Sequence, residues 1–298
     1  MANAPLLDRK FLERLERLTI HWQKSFPGLV GGHNRSRLPG GGQEFLDHRH
    51  FHQGDDLRAV NWRAYMRLDK MFLKLFQVEP RVPVRMLVDI SESMAAGGAA
   101  GSGGKFDYAL KLAGALCYVG LVRLDTIEVL PFASKLQEGK VCGGGRHRFT
   151  PLSRFLEGLT SGGSTGFLKV VREFLNDYPQ RGLVIVISDF LDENGCDKAL
   201  QYLADYGNEL MLINVWSDED RTPPWTGECD LEEAESGAKL HIHVDKEARA
   251  RYTEEFDKFA ASIRAVAMRN SGRYAAIPTS LPIEDAIFGK LMQSRSVA

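Results

Sequence analysis

From residue 82 onward, short continuous apolar runs alternate with longer amphipathic stretches, and this alternation constrains the fold more than any other feature of the 298 residues. The runs at 84–89, 126–131, 183–188 and 209–215 are rich in Val, Ile and Leu, and 274–277 is a shorter apolar run. They are too short for buried helices and carry no polar face, so they read as strands covered on both sides. Between them, 106–123, 153–159, 166–177, 196–206, 246–269 and 283–293 carry helical periodicity. Strand and helix in alternation predict an α/β fold built on a doubly wound, mostly parallel, Rossmann-like sheet. The pieces 135–141 and 147–149 read as a hairpin-like edge, and a small strand insertion is expected near 227–244.

The first third has a different texture. Leu7, Phe11, Leu15, Leu18 and Trp22 recur at three- and four-residue steps, which predicts an amphipathic helix over 6–26, stopped by Pro27-Gly28. A Gly-rich basic loop follows at 31–42. Residues 44–79 are then dense in Arg, Asp, His and aromatics and end in a strand-like run at 71–78. The division expected is a 1–81 α+β extension followed by an 82–298 α/β domain. Residues 95–104 form a low-complexity Gly/Ala loop.

Hydrophobic residues make up 44% of the chain and charged residues 26%, enough to bury a core. The net charge of −1 gives no electrostatic reason to expect nucleic acid as a partner. No stretch has the apolar length of a membrane span, and the first residues lack an apolar leader. Cys117, Cys142, Cys196 and Cys229 are far apart and form no CxxC pair. They read as reduced thiols, and the expected location is the cytoplasm.

The strand tips carry the chemistry. The first apolar strand runs directly into Asp89-Ile90-Ser91-Glu92-Ser93. In an open α/β sheet the C-terminal strand ends gather at one edge, where ligands bind. Gly162-Gly163-Ser164-Thr165, ahead of a helix, and Ser188-Asp189, ending another strand, are expected there too. Asp89 and Asp189 at close range repel each other, and a dication between them cancels that repulsion. Carboxylates and hydroxyls are hard oxygen ligands suited to Mg²⁺, or Mn²⁺ in its place. The hydroxyls of Ser91, Ser93 and Thr165 are neutral, so the ion would stay electron-poor and accept a carboxylate from outside. Ser164 could replace Thr165 or cap the helix. Asp-x-Ser-x-Ser by itself could also be a strand end with a helix cap.

This constellation resembles the metal-ion-dependent adhesion site of the von Willebrand factor type A domain, over residues 82 to about 293. The resemblance implies Asp89, Ser91, Ser93, Thr165 and Asp189 as metal-site residues. Ahead of it, Gly41/Gly42, Glu44-Phe45, Arg49, Gly54-Asp55-Asp56, Arg58 and Trp62 resemble the bacterial family called domain of unknown function 58. Many members of that family carry N-terminal membrane helices that this chain lacks. The family resemblance implies an adaptor for a MoxR-type AAA+ ATPase in chaperone-like complex assembly or metal insertion.

Arg49 and Arg58 can pair with Asp55, Asp56 or Glu44 and brace an irregular segment. With Trp62, Arg49, Asp55, Asp56 and Arg58 also make a candidate partner-docking or phosphate-binding surface. His48, His50 and His52 alternate as residues on one strand face do, but no Cys or further His stands nearby with zinc spacing.

The reading is therefore a cytoplasmic, non-enzymatic metal-dependent protein-binding module. The alternative is a Mg²⁺-dependent hydrolase of phosphate esters, with Lys105 as its one nearby phosphate clamp. A third reading is a purely structural domain with an empty site. The glycine run before Lys105 fails as a P-loop because Phe106 stands where Ser or Thr is required. A Gly-x-Ser-x-Gly elbow and an HExxH motif are also absent from the sequence.

Overall fold

The computed structural model describes residues 5–20, 39–40, 44–53, 55, 57, 60–77, 82–95, 104–192, 195–232, 239–294 and 296–297. The chain folds as two compact units, Met1–Ser25 with Pro83–Ala298, and Phe26–Val82. The described residues 5–20 thus fold with the α/β unit. Within it, α1 (Arg9–Leu15) buries Phe11 and Leu15.

The helix is shorter than the 6–26 periodicity predicts. Past Glu16 the chain turns, and the Arg123 guanidinium donates to the carbonyls of Leu18 (3.0 Å) and Arg17 (3.4 Å). Ile20 then makes a lone antiparallel bridge to Val297. Leu18 and Ile20 are both buried. The apolar spacing that suggested continued helix is satisfied by a turn and a bridge. Trp22 lies outside the described residues.

The smaller unit holds β1 (Pro39–Gly40), β2 (Glu44–His50), α2 (Trp62–Leu68) and β3 (Phe72–Gln77). Its three strands are antiparallel in the order β1-β3-β2, with an irregularity between Phe45 and Asp47. Asn61 caps α2 by accepting from the Ala64 N–H at 3.3 Å.

The α/β unit continues with β4 (Val84–Asp89), α3 (Glu92–Ala95), α4 (Gly104–Val122), β5 (Ile127–Phe132) and β6 (Lys140–Cys142). After a 3₁₀ turn at Arg146–Arg148 come α5 (Phe149–Glu157), α6 (Phe167–Asp177), β7 (Leu183–Ser188), α7 (Asp197–Asp205) and β8 (Glu209–Trp216). The last elements are α8 (Asp218–Arg221), β9 (Gly227–Glu232), β10 (Lys239–Val244), α9 (Lys246–Arg269), β11 (Arg273–Pro278) and α10 (Ile283–Asp285), which passes into a π-helical segment at Ala286–Leu291.

The sheet order is β11-β8-β7-β4-β5-β6. Every pairing is parallel except β5 with β6, which is antiparallel. This is the doubly wound, von Willebrand factor A-like α/β architecture. The expected edge hairpin is only half present: β6 pairs with β5, but residues 147–149 are helical. Phe149 and Leu152 are buried on the same helix as Leu156, so this stretch follows a helical rather than a strand period. The expected insertion is a two-stranded antiparallel ribbon, β9 with β10.

Burial explains the parallel sheet. All six residues of β4 and of β7 are buried. Leu87, Leu130, Val184, Val186, Leu210 and Leu212 pack in one core with α6, α7 and α9. Met86 belongs to the opposite face, where its sulfur lies 3.9 Å from Cys117 Sγ of α4. Helix α4 is buried nearly all round and packs against α1, α5 and four strands. Gly114 lets the N-terminal segment approach it, since a Cβ there would stand 2.8 Å from Leu6 Cδ2. Each fully buried Val, Leu or Ile contributes about 1.5–3 kcal/mol. A polar substitution within 183–187 would therefore act on the centre of the core.

Candidate functional site

The chain builds β4, β5 and β6 toward one edge of the sheet, then returns to place β7, β8 and β11 on the other side of β4. The winding reverses between β4 and β7, and the crevice beyond their C-terminal ends is where open α/β sheets place ligands. Asp89 is the last residue of β4, and Ser188 the last of β7 with Asp189 beyond it.

Asp89 is fully buried. Its Oδ1 accepts from the Ser91 N–H at 2.9 Å, and its Oδ2 accepts from the Ser188 hydroxyl. Ser91 Oγ and Ser93 Oγ lie 3.0 Å apart, and the Ser93 hydroxyl donates to Asp189 Oδ1 at 3.4 Å. The Leu191 N–H donates to the same Asp189 oxygen at 3.1 Å. Asp89, Ser91, Ser93 and Asp189 thus form one hydrogen-bonded chain across two strand tips.

Thr165 arrives on a separate loop fastened to this tip. The Gly162 N–H donates to the Ile90 carbonyl at 2.7 Å, and the Glu92 N–H to the Gly163 carbonyl at 2.9 Å. Gly163 has φ of 86°, a left-handed conformation that glycine adopts without a steric penalty. Thr165 is buried, whereas Ser164 is exposed. Past the loop, Phe167 packs between Phe132 (5.2 Å between ring centroids) and Phe190 (5.6 Å). Asp192 accepts from the Phe167 N–H at 2.8 Å, fixing the start of α6.

Phe190 itself has φ of 61°, uncommon for a residue with a large side chain. Its N–H donates to Ser188 Oγ at 2.8 Å while its ring is fully buried. The packed ring and the local hydrogen bond hold a turn that carries Asp189 at its second position. Backbone strain kept in place by packing is a recurrent feature of functional sites.

The sequence set Lys105 near this cluster only as a possible phosphate clamp and did not reveal its pairing with Asp189 and Asp220. Its side chain is 1% exposed, and its Nζ lies 2.8 Å from Asp189 Oδ2 and 3.1 Å from Asp220 Oδ2. Asp220 belongs to the capping box of α8, where Ser217 accepts from the Asp220 N–H and Asp220 accepts from the Ser217 N–H. The only sequence signal was Ser217-x-x-Asp220, a capping box with Asp in place of the usual Glu or Gln.

The electrostatics follow from burial. Desolvation, and then the neighbouring Asp189, push Asp89 up to about 7, against hydrogen bonds from Ser188 and Ser91 that favour its charged form. Burial works against the Lys105 ammonium, but Asp189 and Asp220 outweigh it and hold its pKa above the ordinary lysine value.

The donor set suits a hard dication. Mg²⁺ with oxygens at 2.0–2.1 Å sets neighbouring ligand oxygens about 2.9 Å apart. The Ser91 and Ser93 hydroxyls already stand at 3.0 Å. Among the described residues, no three His, Cys, Asp or Glu side chains are grouped as a metal site. The strand-tip set has two carboxylates and relies on hydroxyls for its other oxygens.

In the smaller unit, Arg49 donates to Asp55 at 2.8 Å and the His52 N–H donates to the other Asp55 oxygen at 2.7 Å. The Arg49 hydrogen bond comes first among the causes that hold the Asp55 carboxyl below its usual pKa. Asp56 and Arg58 lie outside the described residues. Trp62 is 53% exposed, with its ring edge-on to Tyr65. His48 Nε2 meets Asn61 Nδ2 at 2.6 Å, and His50 packs on Phe72 with centroids 4.6 Å apart.

A family model described as "Protein of unknown function DUF58" matches residues 47–261, well over half of the chain. The chain belongs to the DUF58 family. This DUF58 protein is 25% identical over 270 residues to the uncharacterized protein Rv1480 of Mycobacterium tuberculosis, covering 89% of this chain and 82% of that one. Among solved structures it is similar to BatB from Bacteroides thetaiotaomicron at 18% identity and a TM-score of 0.45, covering 72% of this chain and 98% of that one. A von Willebrand factor type A protein from Catenulispora acidiphila gives 13% identity and a TM-score of 0.44, covering 74% and 44%. The fold of this DUF58 protein rests on its own strand order and directions. Among the described residues, no helix is long and apolar enough to cross a membrane.

Proposed function

We propose that this DUF58 protein is a protein-interaction module whose strand-tip site holds Mg²⁺ or Mn²⁺ and captures an acidic side chain of a partner. The observation that carries the reading is the chain Asp89–Ser91–Ser93–Asp189 at the winding reversal, with two hydroxyl oxygens at adjacent-ligand spacing. Asp89, Ser91, Ser93, Thr165 and Asp189 would hold the ion. When bound, the ion supplies a Lewis-acidic position open to an oxygen from outside. The protein's part is preorganisation: Ser188 fixes Asp89, the Leu191 N–H fixes Asp189, and the 162–163 backbone holds the Thr165 loop against the strand tip.

Lys105 bears on the phosphatase alternative. That chemistry would use it as a clamp, but it is buried with its ammonium on Asp189 and Asp220. The binding reading needs no such clamp. Together with the family resemblance, it makes the protein a cytoplasmic adaptor for a MoxR-type AAA+ ATPase in complex assembly.

The test is retention of the purified protein on an immobilised MoxR-type ATPase, in Mg²⁺ and in EDTA, with Asp89→Ala alongside. Retention is expected only for the wild type in Mg²⁺. Equal retention in EDTA would overturn the metal-dependent reading, and metal-dependent phosphatase turnover by the pure protein would replace it with the enzymatic one.

A further inference from the structure

Lys105 is among the largest fully buried side chains of the described residues, and it touches the strand-tip site. It stands in the first turn of α4 and reaches Asp189 of the β7 tip and Asp220 of α8. A buried ammonium costs several kcal/mol to desolvate unless it is paired and hydrogen-bonded, so its placement demands partners. The two carboxylates it meets belong to elements that follow different strands of the sheet.

The two oxygens of Asp189 are divided. Oδ2 faces Lys105, while Oδ1 takes the Ser93 hydroxyl and the Leu191 N–H. The charge count is also specific. Asp89, Asp189 and Asp220 carry three formal negative charges when ionised, and Lys105 one positive. The remainder of two negative charges matches one divalent cation. Without the lysine the surplus would be three.

We infer that Lys105 is a fixed counter-cation of the strand-tip site: it holds Asp189 by one oxygen, leaves the other on the hydroxyl side, and limits how tightly a divalent ion binds. The inference rests on the metal-binding reading and adds a positioning and affinity-setting residue to it. A fixed positive charge a few ångströms from a dication weakens binding. At the effective dielectric of protein sites, the effect is on the order of tenfold or more in affinity.

The test is calorimetric titration with Mn²⁺ and with Mg²⁺, alongside thermal unfolding in EDTA, for the wild type, Lys105→Met and Asp220→Asn. Lys105→Met is expected to melt lower in EDTA and to bind Mn²⁺ about tenfold tighter than the wild type. Asp220→Asn keeps an acceptor for the Ser217 N–H but removes a negative charge, so it should bind several-fold more weakly. Lys105→Met binding no tighter than a wild type that does bind would overturn the inference and leave the metal site standing. Binding by Lys105→Met alone would support the counter-cation and overturn metal binding by the native protein. Binding by none of the three would overturn both. If Lys105→Met does not fold, Asp220→Asn decides: unchanged or tighter binding there overturns the inference.

Discussion

Ser188 and Asp89 are 99 residues apart in sequence, yet the Ser188 hydroxyl donates to Asp89 Oδ2 at the C-terminal ends of two neighbouring parallel strands. That contact ties the two strand tips together where the sheet reverses its winding, and it holds a buried carboxyl whose pKa is driven up to about 7 by burial and by Asp189. Asp89→Asn keeps an acceptor and the side-chain shape while removing the repulsion. Metal-free stability should therefore be unchanged or higher. The Mg²⁺-dependent stabilisation, about 2.7 kcal/mol at a hundredfold excess over Kd, should disappear. Thermal unfolding with and without Mg²⁺ measures both effects, and an undiminished Mg²⁺ response would count against Asp89 as a ligand.

The Phe190 turn is held by its ring. Phe190→Ala removes the stacking on Phe167 and leaves the left-handed backbone conformation without that support. A loss of about 3–5 kcal/mol is expected in urea unfolding, the usual range for truncating a buried phenylalanine. A loss below about 1 kcal/mol would mean that the ring does not brace the turn.

The opposite edge of the sheet carries a structural ion pair. Arg273 donates to Glu209 at 2.8 Å, and both are buried at the first residues of β11 and β8. Glu209→Ala leaves the guanidinium in the interior without that carboxylate, which should destabilise the fold by about 3–5 kcal/mol. Metal affinity should be untouched, because the pair sits at the strand starts and the candidate site at the strand ends. Urea unfolding and a Mn²⁺ titration on the same variant check the two halves of this expectation.

The four cysteines should separate by exposure. Burial pushes the Cys196 thiol up to about 12 and also raises Cys117 and Cys142, whereas Cys229 is partly exposed on the β9 strand. At pH 8, iodoacetamide labelling read by mass spectrometry should modify Cys229 first. The other three should react at comparable rates only after unfolding. Rapid native labelling of Cys196 would contradict its burial.

Much of this molecule was legible in the chain. Continuous apolar runs at 84–89 and 183–188 can be buried only between helices, so they fix a parallel sheet. Parallel strands end at one edge, so Asp89 and Asp189 could be set side by side from their strand positions alone. The local patterns were less secure where a non-helical path buries the same residues, as at Leu18 and Ile20, or where a segment of three residues is too short to show its period, as at 147–149, which is helical and not a strand. Lys105 shows the limit most clearly. A lysine after a glycine run reads as a phosphate clamp, because sequence carries no sign of what lies across the fold. Only the packing of α4 beside the tips of β7 and β8 puts Asp189 and Asp220 within reach of its ammonium. The sequence determined which oxygens stand at the strand tips. The tertiary structure decided which cation of the chain they already share, because charge pairing depends on distance through space.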